Sequence, residues 1–547
     1  MHAMLEKIFK SRKTTQSAKH NIVRVPIEFE GRIFIDLISQ TIVADEKLKR
    51  KINFLEWLDE AHSHPGLHHL KINWVPISQV SAEIERDHHL GDGHKHVEDD
   101  AEARDHALAL LREAASYNAS DIHIHRQANH AEILFRVNGK LGIAHEYDIN
   151  FADHLIPVLY TLCRSRDASQ SPMEFQDGSI PNDELTGTGI ANVRVVKGPC
   201  YPVTEGGQFM ILREQYARTG SPRKSDKLLK PLRTPRKPEG TAKFAEFGLS
   251  EEQIERIQRI SMAPSGVLLC TGPTGSGKTT LLFEVAADKA RKQPGRRLIT
   301  IEQPVEYPMP WAIQLEISNA LDAEKAGAEF KARLRNALRM DPNDMMIGEI
   351  RDAEVALTVY DAAQTGHFVM STLHVDDAFD YPLRLRNMDD RRLGFDTTCN
   401  ASVVRGIVAQ RLVPLLCPHC ATPWKPDDDR MPRSTNAAVL TWGENKDIIR
   451  RVGPGCVYCH GTGTHNRTAV AEIIETDEEL MSDFVQFSTS VARHRFRARK
   501  GVDPSMVETA LKRVFTGQVD PFDVLTEVDR IRPRDVVMEE REKGAQQ

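Results

Sequence analysis

The sequence predicts an α/β chain whose central unit is a parallel sheet covered by helices, and three observations lead there. Residues Gly272, Pro273, Thr274, Gly275, Ser276, Gly277, Lys278, Thr279 and Thr280 fit the pattern G-x-x-x-x-G-K-[ST]. An apolar run over 265–271 precedes them and a run of helix formers over 281–290 follows, so the glycines sit between a strand and a helix. Further on, strand-like runs at 297–301, 345–348 and 367–373 alternate with helical segments at 328–340 and 352–364.

From the N-terminus, residues 1–100 hold strand-like runs at 21–27 and 31–35 and no chemical motif. The stretch 92–105 is rich in His, Glu and Asp, including His94, His96, Glu98, Asp99 and Asp100. It reads as a hydrated linker, with a metal-binding tract as the alternative. A second unit, 101–218, combines a helical pattern at 107–115 with alternating strands at 121–125 and 131–137. Asn138-Gly139 then marks a hairpin into 140–144, and strands follow at 191–196 and 208–213, an α+β pattern. Residues 219–246 are basic and proline-rich and read as an exposed, flexible linker. The parallel unit spans 247–395, a cysteine-bearing element 396–475 and a helical region 476–537, with a charged, disordered tail expected over 538–547.

Length and composition set bounds. At 547 residues the chain has room for about three to four domains. No stretch approaches the roughly eighteen uninterrupted apolar residues of a membrane span, and residues 1–10 lack the long apolar core of a secretory signal. A net charge of −6 makes no global case for nucleic acid. Eight cysteines in so long a chain do not suggest a disulfide framework, and a reducing cytoplasm is the natural setting.

The glycine loop is a phosphate site. Successive backbone N–H groups and a helix N-terminus favour an anion there. Lys278 can reach the β- and γ-phosphates of ATP, and the Thr279 hydroxyl can ligate Mg²⁺. Two acids fall at strand ends beside this loop, where ligands sit in such sheets: Glu302 after 298–301 and Glu349 after 345–348. His374 ends the strand 367–373 on the same side. Cys417, Cys420, Cys456 and Cys459 form two C-x-x-C pairs, the spacing of a tetrahedral zinc site. With all four positions filled by cysteine, the site is closed and a structural role is expected for Zn²⁺. Cys163, Cys200, Cys270 and Cys399 lack partners at useful spacing and read as packing residues.

Taken together, 272–280, Thr300-Ile-Glu-Gln-Pro-Val-Glu-Tyr307, Ile347-Gly-Glu-Ile-Arg-Asp352 and 365–374 resemble the Walker A, Asp, Walker B and His boxes of the type II/type IV secretion and pilus ATPases. Ala119-Ser-Asp-Ile-His-Ile-His, Phe135-Arg-Val-Asn-Gly-Lys-Leu141, Gln176-Asp-Gly178, Arg194 and Arg213 look like the N-terminal ATPase subdomain of that family, and the resemblance runs from about 118 to 531. It implies a RecA-like core preceded by a PAS-like α+β subdomain. It also implies Glu349 as the water-polarising acid, Glu302 as its assistant at the metal, and Arg194, Arg213 and Arg136 as arginines reaching the γ-phosphate from the other subdomain. The chain departs from the family twice. Gln303 stands where Glu-Asp-Pro is usual, so this position carries no negative charge, and His125 stands where an acid usually closes the Ser-Asp-Ile-His motif.

The function implied is that of a homohexameric, Mg²⁺-dependent ATPase powering type IV pilus assembly or protein secretion. Such a motor works at the cytoplasmic face of the inner membrane, through a platform protein on which residues 1–100 would dock. The tetracysteine element favours assembly over retraction. Two other classes stay open: a nucleic-acid-dependent motor with the same core, and a nucleotide-gated scaffold with little turnover.

Overall fold

The computed structural model describes residues 103–166, 170–217, 229–317 and 323–546, and, of the first hundred, 33–36, 41–49, 51, 53–55, 57–58, 71–76 and 80. The His-rich stretch 92–100 and the run 21–27 lie outside the described residues. The chain divides into two compact units, Met1–Asp105 and His106–Gln547. In the first, strands β1 (Ile33–Asp36), β2 (Thr41–Asp45) and β3 (Lys71–Val75) form one sheet, β1–β2 antiparallel and β2–β3 parallel. Its core is Ile42, Ala44, Leu48, Phe54 and Trp57.

The second unit holds two seven-stranded sheets. One is antiparallel, built from β4 (Asp121–Arg126), β5 (Ala131–Val137), β6 (Lys140–Tyr147), β7 (Ser165–Arg166), β8 (Gln176–Pro181), β9 (Ile190–Pro199) and β10 (Gln208–Tyr216) in the order β6-β5-β4-β10-β9-β8-β7. The β5–β6 turn is the expected hairpin: Asn138 and Gly139 both take positive φ, 51° and 78°, as a tight hairpin turn requires. One face of this sheet packs on the helical stretch 103–116 and on helix Ile149–Thr161, through Leu111, Ala114, Leu155 and Leu159.

The other sheet carries the phosphate loop. Its strands are β11 (Gly266–Thr271), β12 (Leu298–Glu302), β13 (Ala312–Glu316), β14 (Asp344–Ile347), β15 (Phe368–Leu373) and β16 (Val404–Leu416). After the two-residue pair β17 (Thr422–Pro423) and β18 (Arg450–Arg451) comes β19 (Thr464–Glu475), giving the order β13-β12-β14-β15-β11-β16-β19. All pairs are parallel except β16–β19. Strands β11, β12, β14 and β15 are buried along their whole length because both faces are covered. Val267, Leu269, Ile299, Ile301, Met345 and Ile347 face helices Ala323–Ala337 and Ala353–Gln364. Their neighbours Leu268, Cys270, Leu298 and Met346 face helices Glu251–Ser261 and Lys278–Lys292. The two sheets share a core, since Val196, Phe209 and Ile211 of the antiparallel sheet join Phe330 and Leu334 of the helical cover.

Three boundaries differ from the sequence reading. The cysteine element does not stand apart over 396–475, because β16 and β19 are strands of the main sheet and only the segment between them is an insertion. The linker is not free over its second half. Arg233 and Ile143 exchange backbone hydrogen bonds at 2.8 and 2.9 Å, Arg233 pairs with Glu146, and Arg236 pairs with Glu132 and Glu146; residues 218–228 lie outside the described set. The tail expected to be disordered belongs to helix Arg534–Gln546. Arg541 pairs with Glu508, and Arg532 forks onto Glu540 at 2.7 Å through both nitrogens. These charges lie 33 and 8 residues apart, so no local pattern announces them.

Candidate functional site

The phosphate loop leaves β11 and turns into helix Lys278–Lys292 with three left-handed glycines, Gly272 (φ 139°), Gly275 (φ 77°) and Gly277 (φ 82°). Space as well as backbone demands glycine. A Cβ at Gly272 would lie 2.4 Å from the Gln410 carbonyl oxygen, and one at Gly277 would lie 2.7 Å from Gln410 Nε2. Gln410, on the neighbouring strand β16, braces the loop by donating Nε2 to the Ser276 carbonyl at 2.7 Å.

Lys278 is buried and donates Nζ to the carbonyls of Gly272 (3.0 Å) and Pro273 (2.7 Å). Among the described residues no carboxylate lies within ion-pair distance of it. Burial pulls its pKa below the ordinary lysine value, while the more distant Glu349 works the other way. The Ser276 hydroxyl, also buried, has no hydrogen-bond partner among the described residues. A cationic side chain without a counter-ion, an unsatisfied hydroxyl and a glycine cradle together fit a phosphate chain. Thr274, Gly275, Lys278 and Thr279 line one crevice with Glu302, Gln303, Glu306, Glu349, Arg351 and His374. Thr280 is turned instead to the Tyr307 hydroxyl at 2.9 Å.

The two strand-end acids differ in environment. Glu302 is buried, and burial raises its pKa against hydrogen bonds to one carboxylate oxygen from Thr300 Oγ1 (2.5 Å) and Gln314 Nε2 (2.9 Å). Glu349 is more open. Arg351 Nε donates to its Oε2 at 2.8 Å, and His374 Nε2 lies 3.3 Å from its Oε1. The structure thus brings Glu302, Glu349, His374 and the loop residues Lys278 and Thr279 together in one crevice.

It does not bring the arginines there. Arg194 and Arg213 are cross-strand neighbours on β9 and β10 and line a different crevice, with Asp177, Leu338 and Arg339. Arg213 is held away by Asp121 (Nε to Oδ1, 2.8 Å) and Asp341 (Nη2 to Oδ1, 3.0 Å). Asp341, with φ 54°, is the hub of this contact. It also accepts from Arg136 and from His123 Nε2 at 3.0 Å, and Arg297 Nε donates to His123 Nδ1 at 3.3 Å. Burial, chiefly, drives the His123 pKa down to about 3, so the imidazole is neutral and its bond to Asp341 is not an ion pair. Arg136 is therefore a fastening residue that ties the antiparallel sheet to the loop before β14.

Replacing Asp341 by Ala removes the shared acceptor of three donors. Breaking such a partly buried set costs about 3–5 kcal/mol. The expected outcome is a lower melting temperature with faster amide exchange along β4 and β10, read by hydrogen–deuterium exchange; unchanged exchange there would contradict the hub.

The cysteines converge. Cys417 and Cys456 Sγ lie 3.7 Å apart, Cys420 and Cys459 3.8 Å, and Cys456 and Cys459 3.8 Å, with all four sulfurs within 4.8 Å of one another. The N–H groups of Cys456 and Gly463 point at Cys459 Sγ, each at 3.2 Å. A tetrahedron with metal–sulfur bonds of about 2.3 Å has edges of about 3.8 Å, so the set fits zinc.

Sequence reasoning missed the roles of Arg351, Gln314, Asp341, Tyr307 and Gln410. Most act on partners distant in sequence: Gln303 lies 48 residues from Arg351, Tyr307 27 from Thr280 and Gln410 134 from Ser276, whereas Arg351 and Glu349 are two residues apart. The one local signal was Asp341-Pro342, a turn dipeptide before a strand.

A parallel sheet with this loop at the end of a central strand, and with acids on the adjacent strand ends, defines a P-loop ATPase. Residues 230–530 match the model of the type II/IV secretion system protein family, and the chain belongs to that family. It is 30% identical to the type II secretion system protein E of Pseudomonas aeruginosa over 428 residues, 78% of this chain and 76% of that one. It is 29% identical to a putative type II secretion system protein E of Escherichia coli, covering 76% and 75% of the two chains. With the type IV pilus assembly ATPase PilB of Thermus thermophilus it shares 29% identity over 74% of its own length, but that match spans only 40% of the Thermus protein.

Proposed function

We propose that this chain is a Mg²⁺-dependent ATPase motor that works as a homohexamer at the cytoplasmic face of the inner membrane. There it drives assembly of pilin or secretion subunits through a membrane platform protein. The observation that carries this reading is Lys278, a buried ammonium bonded, among the described residues, only to loop carbonyls, in one crevice with Glu302 and Glu349. Family membership supports it.

Lys278 and the loop N–H groups bind the phosphates. Thr279, assisted by Glu302, would hold Mg²⁺, which when bound neutralises phosphate charge. Glu349 takes the proton of the attacking water, and His374 links Glu349 to the end of β15. Arg194 and Arg213 serve the γ-phosphate after the antiparallel sheet has moved, which requires Arg213 to leave Asp341. Arginines placed in this way supply about 10³–10⁵ in rate in other phosphoryl-transfer enzymes. Cys417, Cys420, Cys456 and Cys459 would hold a structural Zn²⁺.

Comparison of Glu349→Gln with the wild type tests the reading. ATP turnover is expected to fall by about 10²-fold or more while ATP binding is retained. A wild-type protein that binds Mg-ATP without cleaving it would instead mark a nucleotide-gated scaffold.

A further inference from the structure

Residue 303 is where this chain departs from the acid its family resemblance leads one to expect, and the structure gives the position a task that needs no charge. Gln303 follows β12 and Glu349 follows β14; these strands are adjacent, in register from Leu298↔Asp344 to Ile301↔Ile347, so their ends meet at the crevice. Arg351 stands between the two side chains. Its Nη1 donates to Gln303 Oε1 at 2.7 Å and its Nε donates to Glu349 Oε2 at 2.8 Å. The guanidinium is about half exposed, and among the described residues its ion pair is with Glu349 alone. With one contact the side chain could turn about that bond. With a second acceptor on another arm of the planar fork, the guanidinium plane is fixed. The position of Glu349 Oε2 is then fixed too, while Oε1 lies beside His374 at 3.3 Å.

We propose that Gln303 and Arg351 are a positioning pair for Glu349: Gln303 sets the guanidinium, and the guanidinium sets the carboxylate. The proposal rests on the reading of Glu349 as the residue that takes the proton of water. What position 303 needs is a hydrogen-bond acceptor at this reach. An amide oxygen meets that need, so the missing charge does not disable the site. A role for residue 303 at the metal is not required.

The test is a double-mutant cycle on the full-length protein, with kcat for ATP and the Kd of a fluorescent ATP analogue measured for each variant. Gln303→Ala and Arg351→Ala are each expected to lower kcat by about 10- to 100-fold with Kd changed less than threefold, since displaced catalytic geometry costs that much. The double variant is expected to be no worse than Arg351→Ala, because Gln303 acts only through Arg351. Gln303→Glu, which keeps an acceptor at the same reach, is expected to hold kcat within about threefold of wild type, whereas Arg351→Lys, lacking the fork, is expected to behave like Arg351→Ala. Losses that multiply in the double variant, a Gln303→Ala protein with normal kcat, or a Gln303→Ala defect cured by raising Mg²⁺ would each overturn the pair. A wild-type protein with no turnover would overturn the ATPase motor as well, so the two failures are told apart by the wild type.

Discussion

Lys278→Ala is expected to lose ATP binding by about 10²- to 10⁴-fold, the largest single effect at the nucleotide site. The magnitude follows from what the ammonium does with and without phosphate. In the structure the ammonium donates to the carbonyls of Gly272 and Pro273, in a place where burial already disfavours the charged form. A phosphate replaces neutral acceptors by an anion. Hydrogen bonds to charged groups are worth about 1.5–3 kcal/mol each, so two of them give about 3–6 kcal/mol. At 1.4 kcal/mol per factor of ten, that is the stated loss. The substitution also removes a strut of the loop. That contribution is modest, because Gln410 holds the loop from β16 and the glycines keep their own conformations. Isothermal titration with ATP and a melting curve separate the two terms: affinity falls while the melting temperature moves by only a few degrees. Equal affinity in the variant would mean that the loop does not hold the phosphates.

Legibility from sequence tracked the range of the interactions. The strand, glycine loop and helix at 265–290 are contiguous, and periodicity announced them. The convergence of Glu302, Glu349 and His374 also followed, because parallel strands place their carboxyl ends on one edge whatever their order. The cysteines could be paired by spacing alone. Placement of Arg194 and Arg213 could not be read, because it depends on how one sheet docks on the other. That docking is set by Asp341, whose partners His123, Arg136 and Arg213 lie 218, 205 and 128 residues away. The linker and the C-terminal helix failed for the same reason: their charges look solvated until their partners are known.

Serine at both Cys456 and Cys459 is expected to abolish zinc binding and to melt the knuckle without melting the insertion that carries it. A structural zinc contributes on the order of 10–16 kcal/mol where the metal is a small unit's main core. Here the segment between β16 and β19 has another anchor. Trp424 and Ile449 pack with Val413 of β16, Val470 of β19 and Val514 of helix Met506–Val514. Arg430 adds a fork onto Asp520 at 2.9 and 3.1 Å. Order that depends on the metal is therefore confined to 417–420 and 452–463. There the chain is so tightly folded that a Cβ on Gly453 would lie 1.6 Å from the Cys420 carbonyl oxygen. Free thiols give little to hold such turns closed, and their 3.7–3.8 Å separations are far from the roughly 2.05 Å of a disulfide. Mass spectrometry of the native wild-type protein should find one zinc per chain, and the double variant none. Amide exchange should rise over 417–420 and 452–463 while 424–449 stays protected. ATP affinity should stay within about threefold, because Gln410 lies on a strand still paired with β19 from Gly406 to Leu416. A wild-type protein without zinc, or a variant whose whole 417–463 segment exchanges at once, would refute this division of labour between metal and apolar core.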